Sequence, residues 1–302
     1  MSNIYSSGST TATTFVREAS FGVTPATPTM QTIPVKNNTI TLTQDNLSSD
    51  AVSGDRMRRF TRRGNTSVAG NLDIELAHET FDELLEGLLM DRWTGDVIKV
   101  SNTASSFSIE RGDKTKNIYE LFTGCVIDSA TFSVSLGSLV ETGFTFIGKG
   151  GVDSATSVDS DPTPAPDKQP MYQADCAVKI DGQKVDYVQD ISLTISNNAV
   201  ANNSIGFDSA SAISTNMVTV TGTATFYLKD LVAKNWFTNE TSTSMELVLD
   251  DGKGNTLTIL MPEIDWQTAN MAQSGSDTRT LTMDFEAVYD SGINSVLQLT
   301  RS

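Results

Sequence analysis

The residue types that commonly do chemistry are present in this 302-residue chain, but few have a spacing that chemistry uses. In "DDGKGN" (residues 250–255) carboxylates and glycines alternate as in a calcium or phosphate loop. The segment lacks the distal carboxylate of an EF-hand, and Asp, Gly and Asn are equally what a tight turn requires, so a hairpin is expected. The single histidine, His78, lies in "ELAHETFDELL" and reads as an early helical residue. A zinc site would need a second soft ligand near it and a Ser–His–Asp triad a partner nucleophile, and neither is there. Cys125 and Cys176 have no CxxC spacing, which points to two reduced, structural thiols. None of the 37 carboxylates stands out as a paired acid and base of a glycosidase. No phosphate loop, GxGxxG turn, HExxH or GxSxG elbow occurs. The expectation is a protein that is not an enzyme and that needs no cofactor and no metal.

One basic cluster remains. "GDRMRRFTRRG" (residues 54–64) holds Arg56, Arg58, Arg59, Arg62 and Arg63 in a chain of formal charge −16. Such a cluster grips either phosphates or carboxylates. With a pI near 4.4, the surface on average repels a phosphate backbone, which argues against tight wrapping of nucleic acid.

The elements that carry these residues are strands. Charged residues are 19 % of the chain, and the abundance of Thr, Ser, Asn and Gly suits short strands joined by polar turns. In "NLDIEL" Leu72, Ile74 and Leu76 alternate with Asp73 and Glu75, and in "TLTMDFEA" Leu281, Met283 and Phe285 alternate with Asp284 and Glu286. Each sheet therefore has a dry face and a wet, acidic one. One helical stripe is clear: Phe81, Leu84, Leu85, Leu88 and Leu89, opposite Asp82, Glu83 and Glu86, with acidic residues in the first turn as the helix dipole favours.

An internal duplication organises the chain. Residues 53–76 lie without gaps on residues 205–228, so that Gly54 falls on Gly206, Val68 on Val220, Gly70 on Gly222 and Leu76 on Leu228. Upstream, "TITLTQDN" parallels "DISLTISNN"; downstream, a helix-like stretch, a strand–turn–strand unit and a last strand ("VETGFTFIG", "TRTLTMDFEAV") follow in the same order. The expected architecture is mainly β: two tandem β-sandwich or half-barrel domains, residues 36–150 and 171–302, each with a flanking helix. Residues 1–35 read as an N-terminal arm ordered only by docking elsewhere, and residues 151–170, with four of the eight prolines, as a semi-rigid solvated linker. The N-terminus lacks the features of a signal peptide, and no apolar stretch nears the roughly 20 residues of a membrane span. A soluble protein made in the cytoplasm, with no membrane partner, is expected.

Three segments together resemble the major tail tube proteins of long, non-contractile-tailed bacteriophages: "REASFGVTPATP", of the pattern E-x-x-FG-x-x-P; "SGDRMRRFTRRGNTSVAGNLDIEL", ending in V-x-G-x-L-x-x-E-L; and "HETFDELLEGLLMDRW", with FD-x-LL. The resemblance covers most of residues 15–150. It implies a β-sandwich with one flanking helix that self-assembles into stacked rings around a hollow, through which DNA leaves for the host without specific binding. It also implies contacts with a tape measure protein and with tail tip and terminator proteins, and assembly in the host cytoplasm. The family's tubes are six-fold, so a duplicated chain fits a trimer that makes a pseudo-hexamer. On this reading Asp73, Glu75, Asp284 and Glu286 line the lumen; the alternative is that they are merely solvated strand faces. A virion adhesin or decoration protein with paired sandwich domains is the other functional class left open.

The duplication bears on the arginines. The five positions fall on Asp208, Ala210, Ser211, Ser214 and Thr215 in the second copy, so the basic patch belongs to one half only. A DNA lining would need it in both. An inter-subunit or inter-ring clamp made by Arg56, Arg58, Arg59, Arg62 and Arg63 is therefore favoured over a DNA grip, with a solvated loop as the other option.

Overall fold

The computed structural model describes residues 5–273 and 275–302. Its first part contains β1 (Thr11–Arg17), β2 (Gln31–Ile33), β3 (Asn37–Asn38), β4 (Thr41–Ser48), β5 (Thr61–Glu75), α1 (Asp82–Leu89), β6 (Val97–Lys99), β7 (Phe107–Asp113), β8 (Ile118–Ser135), β9 (Glu141–Gly148) and β10 (Gly150–Ser154). The second contains β11 (Ala177–Ile180), β12 (Gln183–Val185), β13 (Val188–Ser196), β14 (Val200–Asn203), β15 (Ala210–Ser214), β16 (Thr219–Tyr227), α2 (Val232–Thr238), β17 (Thr243–Asp250), β18 (Thr256–Trp266), β19 (Asn270–Ala272), β20 (Thr280–Ala287) and β21 (Gln298–Arg301). The protein is mainly β, with large antiparallel sheets, as the alternating strands of the sequence lead one to expect.

Both halves have the same strand order. The first runs β4-β5-β9-β8-β7-β1-β2 and the second β13-β16-β20-β18-β17-β11-β12, every neighbour antiparallel. Strand β19 continues β18 along β20 after a break at residues 267–269. Gly70 lies opposite Phe146 and Gly222 opposite Phe285, so the glycines aligned in sequence hold equivalent places in the ladder.

The repeat begins earlier than the sequence suggests. Residues 1–35 read as an arm, but β1 pairs along its whole length with β7, and Phe15 and Met30 are buried. Ser and Thr at the N-terminus hide the strand, because its register is set by a partner some 100 residues away (Thr11 opposite Asp113). The E-x-x-FG motif closes the β1–β2 connection: the buried Glu18 carboxylate accepts hydrogen bonds from Gly22 N (2.7 Å), Ser106 Oγ (2.6 Å), Ser108 Oγ (2.8 Å) and Gly124 N (2.8 Å). A buried carboxylate with four donors is satisfied, and removing it would orphan groups in the β1–β2 connection, at the start of β7 and within β8.

Nor is the stretch at residues 151–170 a free spacer. Its start is β10, paired with β8; Thr163 exchanges backbone bonds with Met30 and Thr32, and Glu110 accepts from Val158 N (2.9 Å) and from Ser157. Proline removes donors only at its own positions, and the amides of Val158 and Thr163, the Thr163 carbonyl and the Ser157 and Asp159 side chains suffice to lay the segment on the first sheet.

Helix α1 begins at Asp82, four residues after His78, which sits in a turn with Glu79 at φ 57°. The stripe expected from sequence is buried, and Gly87 lets α1 approach Phe107 and Ile127: a Cβ there would lie 2.6 Å from Phe107 Cε2. Arg17 on β1 bonds Glu86 on α1 (2.6 Å), and Arg301 at the far end of the chain pairs with Asp82 and lies 4.6 Å over the Trp93 ring, tying the last strand to the first helix. Helix α2 is anchored by Trp236, stacked on Trp266 at 5.6 Å beside Phe226 and Phe285. Residues 250–255 form the β17–β18 hairpin, with Asp251 accepting from Lys253 N and Asn255 N. Cys125 and Cys176 are free, and burial pushes both thiols up, which suppresses thiolate formation.

The start of β1 carries an acid-sensitive anchor. Hydrogen bonds from Ser6 (2.6 Å), Thr115 (2.6 Å) and Thr10 (3.0 Å) hold the Asp113 carboxyl well below the usual carboxylate range. A carboxylate depressed in the folded state stabilises it above its unfolded value of about 3.9 and stops doing so as pH falls through the lower folded value. Amides of residues 8–13 should keep their exchange protection at about pH 5 and lose it progressively as pH falls below about 4 toward the lower folded value. Asp113→Asn should loosen the same amides at neutral pH; unchanged protection in that variant would show the anchor to be idle.

Candidate functional site

The surfaces available for function follow from how the two halves meet. Strand β8 is long enough to serve two sheets, and its second half accepts β13 along one edge while β9 lies on the other. The result is one continuous antiparallel sheet, β4-β5-β9-β8-β13-β16-β20-β19, with four strand positions from each repeat.

Cross-strand partners share a face, so the registers can be read as rungs. One rung runs Asp73, Gly143, Thr131, Thr194, Thr221, Glu286; the next runs Glu75, Glu141, Ser133, Ser192, Thr223, Asp284. The four carboxylates expected from alternation thus lie on one face in two adjacent rungs, although Asp73 and Glu286 stand at opposite ends. Between them is a carpet of hydroxyls, with Thr131 and Thr194 3.0 Å apart across the junction between repeats. Asp284 is held by Thr223 Oγ1 (2.7 Å) and Thr268 Oγ1 (2.8 Å), and Asp73 accepts from Asn37 Nδ2 (3.2 Å). Neither rung contains a basic residue. Lys36 flanks them and pairs with Glu141, whose hydrogen bond raises it above the ordinary lysine range.

Glu141 and the hydroxyl rungs were not singled out from sequence, although the signal is present. "VETGFTFIG", "ATFSVS" and "ISLTIS" alternate as strictly as the strands that were. Serine and threonine attract less notice than carboxylates.

The arginines lie elsewhere. Strands β4 and β5 project from the sheet as a hairpin exposed along most of its length, with residues 49–60 as its tip. Arg58 pairs with Asp50 at 3.2 Å and Arg59 with Asp55, while Arg62 and Arg63 lie across from Leu47 and Asn46 on the ladder. Arg56 completes the group on the tip. Among the described residues no carboxylate is paired with Arg56, Arg62 or Arg63. The arginines and the polar face are separate features of the same sheet.

Among the described residues no three His, Cys, Asp or Glu side chains are placed to hold a metal ion. His78 is buried, its two ring nitrogens without hydrogen-bond partners among the described residues. Among the described residues no helix is long and apolar enough to cross a membrane.

The chain is thus a duplicated β protein whose continuous sheet has one polar face, with β4 at one end and β19 at the other each paired on one side only among the described residues. The family described as phage tail tube protein matches residues 8–287. The chain belongs to that family, and its role is that of a structural component of a phage tail tube, located in the virion tail. No curated protein matches the chain.

Proposed function

We propose that the protein forms the tube of a long, non-contractile tail by closing into rings of three chains, and that the rings stack around a lumen through which DNA is ejected into the host. The observation that carries this reading is the β8–β13 junction. It joins two repeats head to tail inside one chain and leaves β4 and β19, the counterparts of β13 and of the end of β8, as open edges. Repeating the same junction between copies seats β4 of one on β19 of the next, a heterologous contact of the kind that closes into rings. Three chains then contribute six repeats, residues 36–150 and 171–302 with β1 and β2 added to the first. The tape measure, tip and terminator proteins meet the tube at its bore and ends, and assembly takes place in the host cytoplasm.

The hydroxyl and carboxylate rungs are the lining this reading assigns to the lumen. A conduit should repel its cargo lightly and bind it nowhere, and Asp73, Glu75 and Asp284 in a field of Ser and Thr provide that, with Glu286 at the edge of the lining where one chain meets the next. Helical reconstruction of tubes grown from purified protein should find three chains per ring; six chains per ring, or isolated particles as an adhesin or decoration protein would give, overturns the proposal. For the lining, tubes of Asp73→Lys with Glu75→Lys should retain duplex DNA at low salt and release it steeply as salt rises, as counterion release requires. If filter binding detects no gain over the unmodified tube, those carboxylates face away from the lumen.

A further inference from the structure

The second repeat has its own counterpart of the arginine tip, and the way it is seated shows what a tip can rest on. Between β13 and β16 the chain makes the small hairpin β14–β15, which lies against β9 of the first repeat. Its Asp208 carbonyl accepts from Thr66 N (2.7 Å) and Thr66 Oγ1 (3.0 Å) on β5. The tip of the later repeat thus caps the edge of the earlier repeat's second strand, just past the end of β9, since Val68 is the last β5 residue paired with it.

The repeat alignment turns this into coordinates for the other tip. Residues 53–76 lie on residues 205–228, so Arg56 corresponds to Asp208 and Thr66 to Val218. Phe146 and Phe285 lie opposite the equivalent glycines, so Ile147 corresponds to Glu286 and Gly148 to Ala287. Among the described residues the first repeat's tip rests on no other repeat, and it is exposed: Val52 is 90 %, Met57 65 % and Phe60 72 % accessible. The corresponding strip on the second repeat presents Met217, 80 % accessible, and Glu286 with Asp265 directly opposite on β18. One side offers the guanidinium groups of Arg56, Arg58 and Arg59, with Arg62 and Arg63 next to the tip on β5, and apolar side chains; the other offers carboxylates and an exposed methionine.

We propose that residues 49–60 seat on the second repeat of another copy of this chain, at Val218 and the Glu286 end of β20, as β14–β15 seats on the first repeat. The inference rests on the ring reading above and makes it specific. The arginines clamp neighbours around a ring and not one ring to the next, and their partners are Glu286 and Asp265 of the adjacent copy. Guanidinium–carboxylate contacts there are partly shielded by the apolar residues of the tip, which is where such pairs gain most over exposed ones.

The test uses the full chain with Arg56→Cys and Val218→Cys, in a Cys176→Ser background, treated with a short bifunctional maleimide after assembly. Denaturing electrophoresis should resolve dimers and trimers and nothing larger, because links that run around a closed ring of three end there. In assemblies that reconstruction shows to hold three chains per ring, a ladder running beyond three places the tip on the next ring, and rings that form without cross-links place it elsewhere; either result overturns the seat and leaves the ring reading standing. If the unmodified protein forms no rings or tubes in negative stain, the ring reading fails and the seat with it. Hydrogen exchange on the unmodified protein gives a readout independent of the variants: amides at residues 49–60 and 216–219 should slow together on assembly. Slowing of the first set alone overturns the proposal.

Discussion

Arg58→Glu with Arg59→Glu is expected to abolish rings and tubes while leaving a folded subunit. The two guanidinium groups are exposed on the hairpin tip, and their partners within the chain, Asp50 and Asp55, belong to the same loop. Exposed pairs of this kind are each worth about 0–1 kcal/mol, so the fold loses little when they go. Association is another matter. Reversal changes the tip by four charge units and turns the proposed attraction to Glu286 and Asp265 into repulsion at every interface of a ring. Like charges forced together at an interface cost several kcal/mol, whereas rim charges that are only removed cost much less. Arg58→Ala with Arg59→Ala should accordingly slow assembly without ending it. The measurements are negative-stain imaging for assembly and circular dichroism with thermal unfolding for the fold. Normal tubes from the reversed variant would mean that the tip is only a solvated loop.

The opposite dissociation is expected of Gly222→Val, which should act on the subunit itself. Gly222 sits in β16 where the sheet passes under the ring of Phe285; a Cβ there would meet that ring and lie 2.5 Å from the Ser192 carbonyl oxygen on β13. The carbonyl belongs to a strand held on both sides, by β16 and by β8, and cannot give way without opening the junction between the repeats. Overpacking of this kind typically costs 1–3 kcal/mol, and the backbone obstacle puts the expected loss at about 3 kcal/mol. Gly70 is its counterpart: a Cβ there would lie 2.5 Å from both Ile40 Cα and the Thr39 carbonyl oxygen, at φ 153°. Gly70→Val should therefore be destabilising for the same reason. Urea unfolding of the unassembled subunit reads both effects. A midpoint unchanged by Gly222→Val would mean that β13 is not held as rigidly as its two partners imply.

The aligned glycines also mark how far sequence reasoning reached. Alternation in "NLDIEL" and "TLTMDFEA" assigned Asp73, Glu75, Asp284 and Glu286 to the wet face, and the helical stripe from Phe81 to Leu89 is buried as its spacing requires. Those are local properties, because a period of 2 or 3.6 is written along the strand or helix that uses it. The order of features in the two halves was likewise visible, down to Gly70 and Gly222. What stayed hidden was everything that depends on a distant partner. The segment around β1 reads as an arm because "TATTFVR" has weak alternation, and only β7, nearly 100 residues on, makes it a strand. The residues at 151–170 read as a spacer because proline-rich composition says nothing about the carbonyls and side chains that bond Met30, Thr32 and Glu110.

By itself, then, the sequence determined which side of each strand is wet, which helix face is dry, that the chain is a β protein made twice over, and that its arginines belong to one copy alone. Tertiary structure decided that the two wet faces are one face. Asp73 and Glu286 share a rung only because six strands are paired in a particular register, with Thr131 against Thr194 at the point where the repeats join. Periodicity fixes the side of a strand on which a residue lies, but register between strands far apart in the chain is a collective outcome of packing. The seat of the second repeat's hairpin on β5 and β9 was decided in the same way, and with it the surface on which the arginine tip is inferred to close the ring.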